Sequence, residues 1–179
     1  MEIQTERLLI RPWRDEEAPR LYDMQSRVEV MRWLGDGSPN LMSSVDQAVS
    51  RIAFYRLRSL LPPQEIWAVE VRDGSPRDGT VAGTVLLQPL PNGAGECEIG
   101  WHLHPDSWGH GYATEAGRAV LEHAWAGGLS EVHAVTHPDN EPSQRICHKL
   151  GLRDQGVTER WYGVPMRHYL LSYDEWAGR

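Results

Sequence analysis

The chain has 179 residues, a formal net charge of −7, and 40% hydrophobic against 24% charged residues. That is enough apolar material for one domain, and it excludes disorder as the default state. The acidic balance opposes nucleic-acid binding as the main activity, and no run approaches the roughly 20 apolar residues that cross a bilayer.

The opening segment, Met1 to Arg14, has no secretory-signal pattern, and Cys97 and Cys147 form no CxxC pair. A cytoplasmic, reducing setting is therefore expected. Thr5–Pro12 alternates Leu8 and Ile10 with polar neighbours and reads as a strand. Asp15 can cap a helix running through Leu21 and Met24, with Glu16 and Glu17 in its electropositive first turn. A second helix is predicted after Ser43–Ser44, where Val45, Val49, Ile52 and Tyr55 recur at helical spacing. From Ile66 the period changes. Ile66–Val71, Thr80–Leu87 and Gly95–His104 read as three consecutive antiparallel strands separated by Gly/Pro/Asp turns.

Helical spacing returns in Ala113–Trp125, with Ala116, Ala119, Val120 and Ala124 on one face and Gly127–Gly128 ending it. Ser130–Thr136 reads as a strand and Pro142–Leu150 as a short helix closed by Gly151. Two strands, Leu152–Trp161 and Met166–Tyr173, finish the chain. This order describes a single α+β domain over the whole chain. Its mixed, mostly antiparallel sheet has about seven strands flanked by about four helices, with one strand–helix–strand crossover near the centre.

The most informative stretch is Trp108–Gly109–His110–Gly111–Tyr112–Ala113–Thr114, between a strand and a helix. Glycines there let successive N–H groups turn toward one point, and the helix start adds its positive end. Such a turn can hold a pyrophosphate without any lysine. It is not a P-loop, because no Gly-Lys-Ser/Thr follows, and the third glycine of a dinucleotide fingerprint is missing. Downstream, Asn140 stands where it can cap the next helix or face an amide-bearing ligand. His102, His104 and His110 lack zinc-site spacing, so no metal is expected.

These segments, taken together and in order, resemble the GNAT superfamily of acetyl-CoA-dependent N-acetyltransferases, most closely its RimJ/RimL-like branch. The resemblance covers Gln4–Trp13, Glu98–Trp101, Trp108–Ala113 and Asn140–Gly151. The glycine turn is similar to the family's Gln/Arg-x-x-Gly-x-Gly/Ala signature, with Trp108 first, Gly111 fourth and Ala113 sixth. The resemblance implies that the amides of about His110 to Thr114 hold the CoA pyrophosphate. It also implies that the pantetheine arm lies between two splayed parallel strands, Glu98–His104 and Glu131–Thr136, beside Trp101 and His102. Asn140 and Ser143 would face that arm, and Trp33–Leu34 with the loop to Ser43 would line the acceptor side.

The implied chemistry is direct acetyl transfer to an amine acceptor, a small molecule or a protein N-terminus, by a monomer or homodimer. Alternation puts Glu96, Glu98, Gly100 and His102 on one strand face, and a bulge after about Gly100 would reset that parity. Glu98 matches the family's strand glutamate, the expected base. The family's helix tyrosine is replaced by Cys147, so protonation of the CoA thiolate passes to Ser143, to water, or to no fixed group at all. An alternative reading keeps the fold without turnover, as an acyl-CoA sensor or scaffold.

Overall fold

β-Branched and aromatic residues concentrate between Glu65 and Leu103, and there the chain builds the middle of its sheet. The computed structural model describes residues 2–62 and 64–178. Its strands are β1 (Ile3–Gln4), β2 (Leu8–Arg11), β3 (Glu65–Val71), β4 (Val81–Pro89), β5 (Cys97–Leu103), β6 (Glu131–Thr136), β7 (Arg153–Thr158) and β8 (Met166–Ser172). The helices are α1 (Ala18–Gln25), α2 (Val28–Met31), α3 (Val45–Arg58), α4 (Tyr112–Ala126), α5 (Glu141–Leu150) and α6 (Tyr173–Ala177). Among the described residues, no helix is long and apolar enough to cross a membrane.

The strands form one eight-stranded sheet in the order β1-β2-β3-β4-β5-β6-β8-β7. Only β5 and β6 run parallel, joined by the α4 crossover. The expected strands and helices are present, and β1, α2 and α6 are additional. All three are too short to carry a periodic signal. At the first helix the predicted cap is displaced. Asp15–Glu17 forms a 3-10 turn, α1 begins at Ala18, and the Glu17 carboxylate is turned onto the Arg11 guanidinium at 3.0 Å.

Two apolar layers sandwich the sheet. On one side Trp67, Val69, Val85, Leu87 and Ile99 pack against Tyr112, Ala116, Val120 and Ala124 of α4 and Leu150 of α5. On the other, Ile66, Ala68 and Val81 meet Leu21 and Met24 of α1 and Ile52 and Tyr55 of α3. β3 is buried along its whole length because both layers cover it. In α3 the buried face is Ala48, Ile52 and Tyr55, whereas Val45 and Val49 are exposed. The helical period is right, but its apolar residues extend around to solvent together with Phe54 and Leu57.

β5 pairs with β4 without a break, from Gly83 opposite Leu103 to Pro89 opposite Cys97. The bulge expected after Gly100 is therefore absent, and Glu98, Gly100 and His102 keep one face throughout. Gly83 allows the close approach on which this ladder rests. A Cβ there would meet the His102 carbonyl and lie 2.6 Å from the Leu103 Cα, both main chain. Gly83→Ala should lower stability by about 1–3 kcal/mol, read as an earlier denaturant midpoint. A midpoint equal to the parent's would mean that the two strands do not approach as described.

Candidate active site

The site begins where β5 and β6 part. Their parallel ladder has one rung, Glu98 with His133. The His104 N–H donates to Ala82 O at 2.8 Å. Antiparallel alternation then points the main-chain groups of His102, Gly100 and Glu98 at β4, and those of Leu103 and Trp101 toward β6. The Leu103 carbonyl accepts the Trp108 indole N–H at 2.9 Å. The Trp101 N–H and C=O face a gap into which the β6 ladder does not extend.

At the end of that gap lies the glycine turn. Gly109 and Gly111 have φ of +80° and +81°, and Gly111 is the residue from which α4 starts. Another residue at either position would be strained by about 1–2 kcal/mol. The N–H groups of Gly109, His110, Gly111, Tyr112 and Ala113 find no acceptor among the described residues. Thr114 is different. Its N–H donates to Gly111 O at 3.1 Å, so the unfilled donors run from Gly109 to Ala113 rather than from His110 to Thr114. Arg7 braces the turn, donating to His110 O at 3.1 Å and to Glu115 Oε2 at 2.8 Å.

The side chains of this stretch are mostly turned away from the N–H groups. Tyr112 is buried in the core and donates its hydroxyl to Asp73 at 2.7 Å, so only its main chain is offered. Ala113 is also buried, and the His110 ring stacks on Tyr112 with centroids 5.4 Å apart. Trp108 is half exposed and uses its N–H to close the end of β5. A turn built this way offers backbone dipoles plus the positive end of a four-turn helix, an arrangement suited to an anion.

Across the gap, Asn140 caps α5, its Oδ1 accepting the Ser143 N–H at 3.3 Å. Its Nδ2 donors have no acceptor among the described residues, so the capping and ligand-facing readings are compatible. The Ser143 hydroxyl likewise has no partner among the described residues and is half-buried. Cys147 is fully buried, and burial pushes its thiol up to about 12. It behaves as a core residue.

Glu98 lies on the opposite sheet face from α4, facing the α1–α3 layer, and is 6% exposed. Burial raises its pKa, opposed by hydrogen bonds from Gln88 and Tyr162. His102, two positions on, is turned to the same face. Its main chain faces β4, and its Nε2 lies 3.1 Å from Gln25 Nε2. Burial, aided by the Arg51 charge, lowers its pKa to about 4 and keeps the ring neutral at pH 7. His104 is bound to Asp23 at 2.9 Å, and no described group of His, Cys, Asp and Glu is arranged to hold a metal. The loop after α2 closes over the end of β6, where a Cβ on Gly37 would lie 2.6 Å from the His137 ring and Trp33 packs against that same ring.

Cys97 is also buried, and its thiol pKa is raised by that burial. Neither thiol should react with an aromatic disulfide reagent at about pH 8 until denaturant is added. Ready labelling of Cys147 in the folded protein would contradict the packing of α5 against α4.

Comparison with known proteins points one way. The family described as acetyltransferase (GNAT) domain matches residues 7–153. The uncharacterized N-acetyltransferase YoaA of Bacillus subtilis (strain 168) is 30% identical over 160 residues, 89% of this chain and 86% of its own. Among solved structures, the GNAT-family acetyltransferase from Bacillus anthracis aligns over 98% of this chain and 100% of its own, with a TM-score of 0.76 and 22% identity. Mycobacterium smegmatis RimJ in complex with CoA-disulfide aligns over 94% of this chain and 83% of its own, with a TM-score of 0.78 and 19% identity. The two structures speak to the fold alone. The domain match over most of the sequence, joined by a relative alike along nearly its full length, makes this chain an acetyltransferase of the GNAT family.

Proposed function

We propose that this protein transfers acetyl from acetyl-CoA to a primary amine, of a peptide N-terminus or a small molecule, by direct transfer in a ternary complex. The observation that carries the reading is the alignment of two sets of unfilled main-chain donors: Trp101 at the parting of β5 and β6, and Gly109 to Ala113 at the glycine turn. A flexible chain of amides ending in a diphosphate satisfies both sets at once. The fit to acetyl-CoA thus comes from backbone geometry, with the Asn140 amide a further donor beside the gap. The RimJ/RimL-like assignment within the family rests on the likeness in shape to RimJ, which was itself solved with a CoA disulfide.

The bound thioester supplies an activated acetyl group. The protein's part is to hold it, exclude water and manage two protons. An ammonium cannot attack a carbonyl, so a base must first take its proton, and Glu98 is the buried carboxylate beside the parting of β5 and β6. Ser143, at the start of α5, is the hydroxyl assigned to the departing sulfur. The net charge of −7 favours a cationic over an anionic acceptor.

Release of free CoA thiol across a panel of peptide and small-molecule amines tests the reading. Turnover with at least one amine is expected, and saturable CoA binding without turnover on any amine would favour a sensor. Because burial raises the Glu98 pKa, the carboxylate becomes available as a base only above the ordinary carboxylate range. The kcat/KM should therefore rise with pH and level off once Glu98 is ionised. Glu98→Gln should lower kcat by roughly 10²–10⁴-fold, remove that limb, and leave CoA affinity nearly unchanged. Parent-like activity and pH profile in the variant would exclude Glu98 as the base.

A further inference from the structure

Glu98 is gripped unevenly. Its Oε1 accepts two hydrogen bonds, from the Tyr162 hydroxyl at 2.7 Å and from Gln88 Nε2 at 2.9 Å. Its Oε2 has no donor among the described residues. We propose that Tyr162 and Gln88 are positioning residues that lock the carboxylate through Oε1 and dedicate Oε2 to taking the proton from the acceptor amine. This rests on the acetyltransferase reading above.

The two donors come from separate parts of the chain. Gln88 lies directly opposite Glu98 on β4, so its reach is set by the unbroken β4–β5 register. Tyr162 arrives on the loop between β7 and β8, which is anchored by the two residues just before the tyrosine. Trp161 is 2% exposed and packs edge-on against His133 and His168, at 5.6 and 4.8 Å between ring centres. The Asn92 side chain donates to the Trp161 carbonyl at 2.9 Å, and Arg160 is paired with Glu96. Fixing a loop this firmly costs chain entropy, and its product is one phenol held against one carboxylate oxygen.

The phenol could instead be read as the acid that replaces the missing helix tyrosine. Chemistry speaks against it. The Tyr162 proton is already given to Glu98, and burial together with the neighbouring carboxylate raises the phenol's pKa and makes it a poorer acid. In the proposed step the proton passes from the ammonium nitrogen to Oε2, Tyr162 keeps its own, and the freed amine lone pair is left to attack. The other titratable groups near Glu98 are His133 across the single rung on β6, His102 along β5, and the Glu96–Arg160 pair beyond the loop. Of the α1–α3 layer, Arg51 acts on His102.

The test is Tyr162→Phe, with Gln88→Met as a second variant, read in two ways. The first is the pH profile of kcat/KM with an accepted amine. The second is the pH titration of the Glu98 carboxyl carbon by ¹³C NMR without any substrate, its signal assigned through Glu98→Gln. Each variant removes a donor that favours the ionised carboxylate. The acidic limb and the NMR titration should therefore both move upward by about one pH unit, with the acetyl-CoA KM unchanged. A variant that turns over with an unmoved limb and unmoved titration overturns the clamp. If the parent acetylates no amine while the titration still moves as expected, the clamp stands and the transferase reading fails instead.

Discussion

Main-chain hydrogen bonds left unmade between β5 and β6 decide most of what this chain can do. A buried N–H or C=O without a partner costs about 1–3 kcal/mol, so a sheet does not open in its middle without compensation. Here β5 is held along its whole other edge by β4, from Gly83–Leu103 to Pro89–Cys97, which confines the opening to one side. The α4 crossover then enters at the end of the gap, and its first turn faces the same way. The main-chain groups of Trp101 in the gap and those of Gly109 to Ala113 at the helix start thus belong to the two ends of the same β5–α4 connection.

On the proposed function, this arrangement lets an acidic protein hold a polyanion. Within the glycine turn there is no lysine or arginine, and Arg7, nearby, is committed to the His110 carbonyl and the Glu115 carboxylate. The turn itself offers oriented peptide dipoles, which act at short range whatever the overall charge. Glu98 lies beside the single rung, on the sheet face opposite α4.

Much of this was readable from residue order. Strands of the central sheet announce themselves through Val, Ile and Trp runs bounded by turns, and the glycine turn stands between a strand and a helix as its chemistry requires. What could not be read was set by tertiary contact. The β5 parity depended on a bulge that the β4 register does not contain, and the commitment of Thr114 to the first turn of α4 depended on the helix starting at Gly111. Val45 and Val49 fit a helical period but lie on its exposed side, because Ala48, Ile52 and Tyr55 alone face the core. Tyr162 had no signal at all. It stands in an irregular loop, and its contact with Glu98 spans a sequence separation of 64 residues.

The account stands or falls on the donors that line the gap and the turn. Backbone ¹⁵N–¹H NMR of the protein titrated with CoA observes them one by one. The account requires saturable shifts concentrated on Trp101 and on Gly109 through Ala113, with Thr114, already bonded within α4, moving much less. Saturable CoA binding that leaves those amides unperturbed, or that shifts residues elsewhere on the surface, would contradict it.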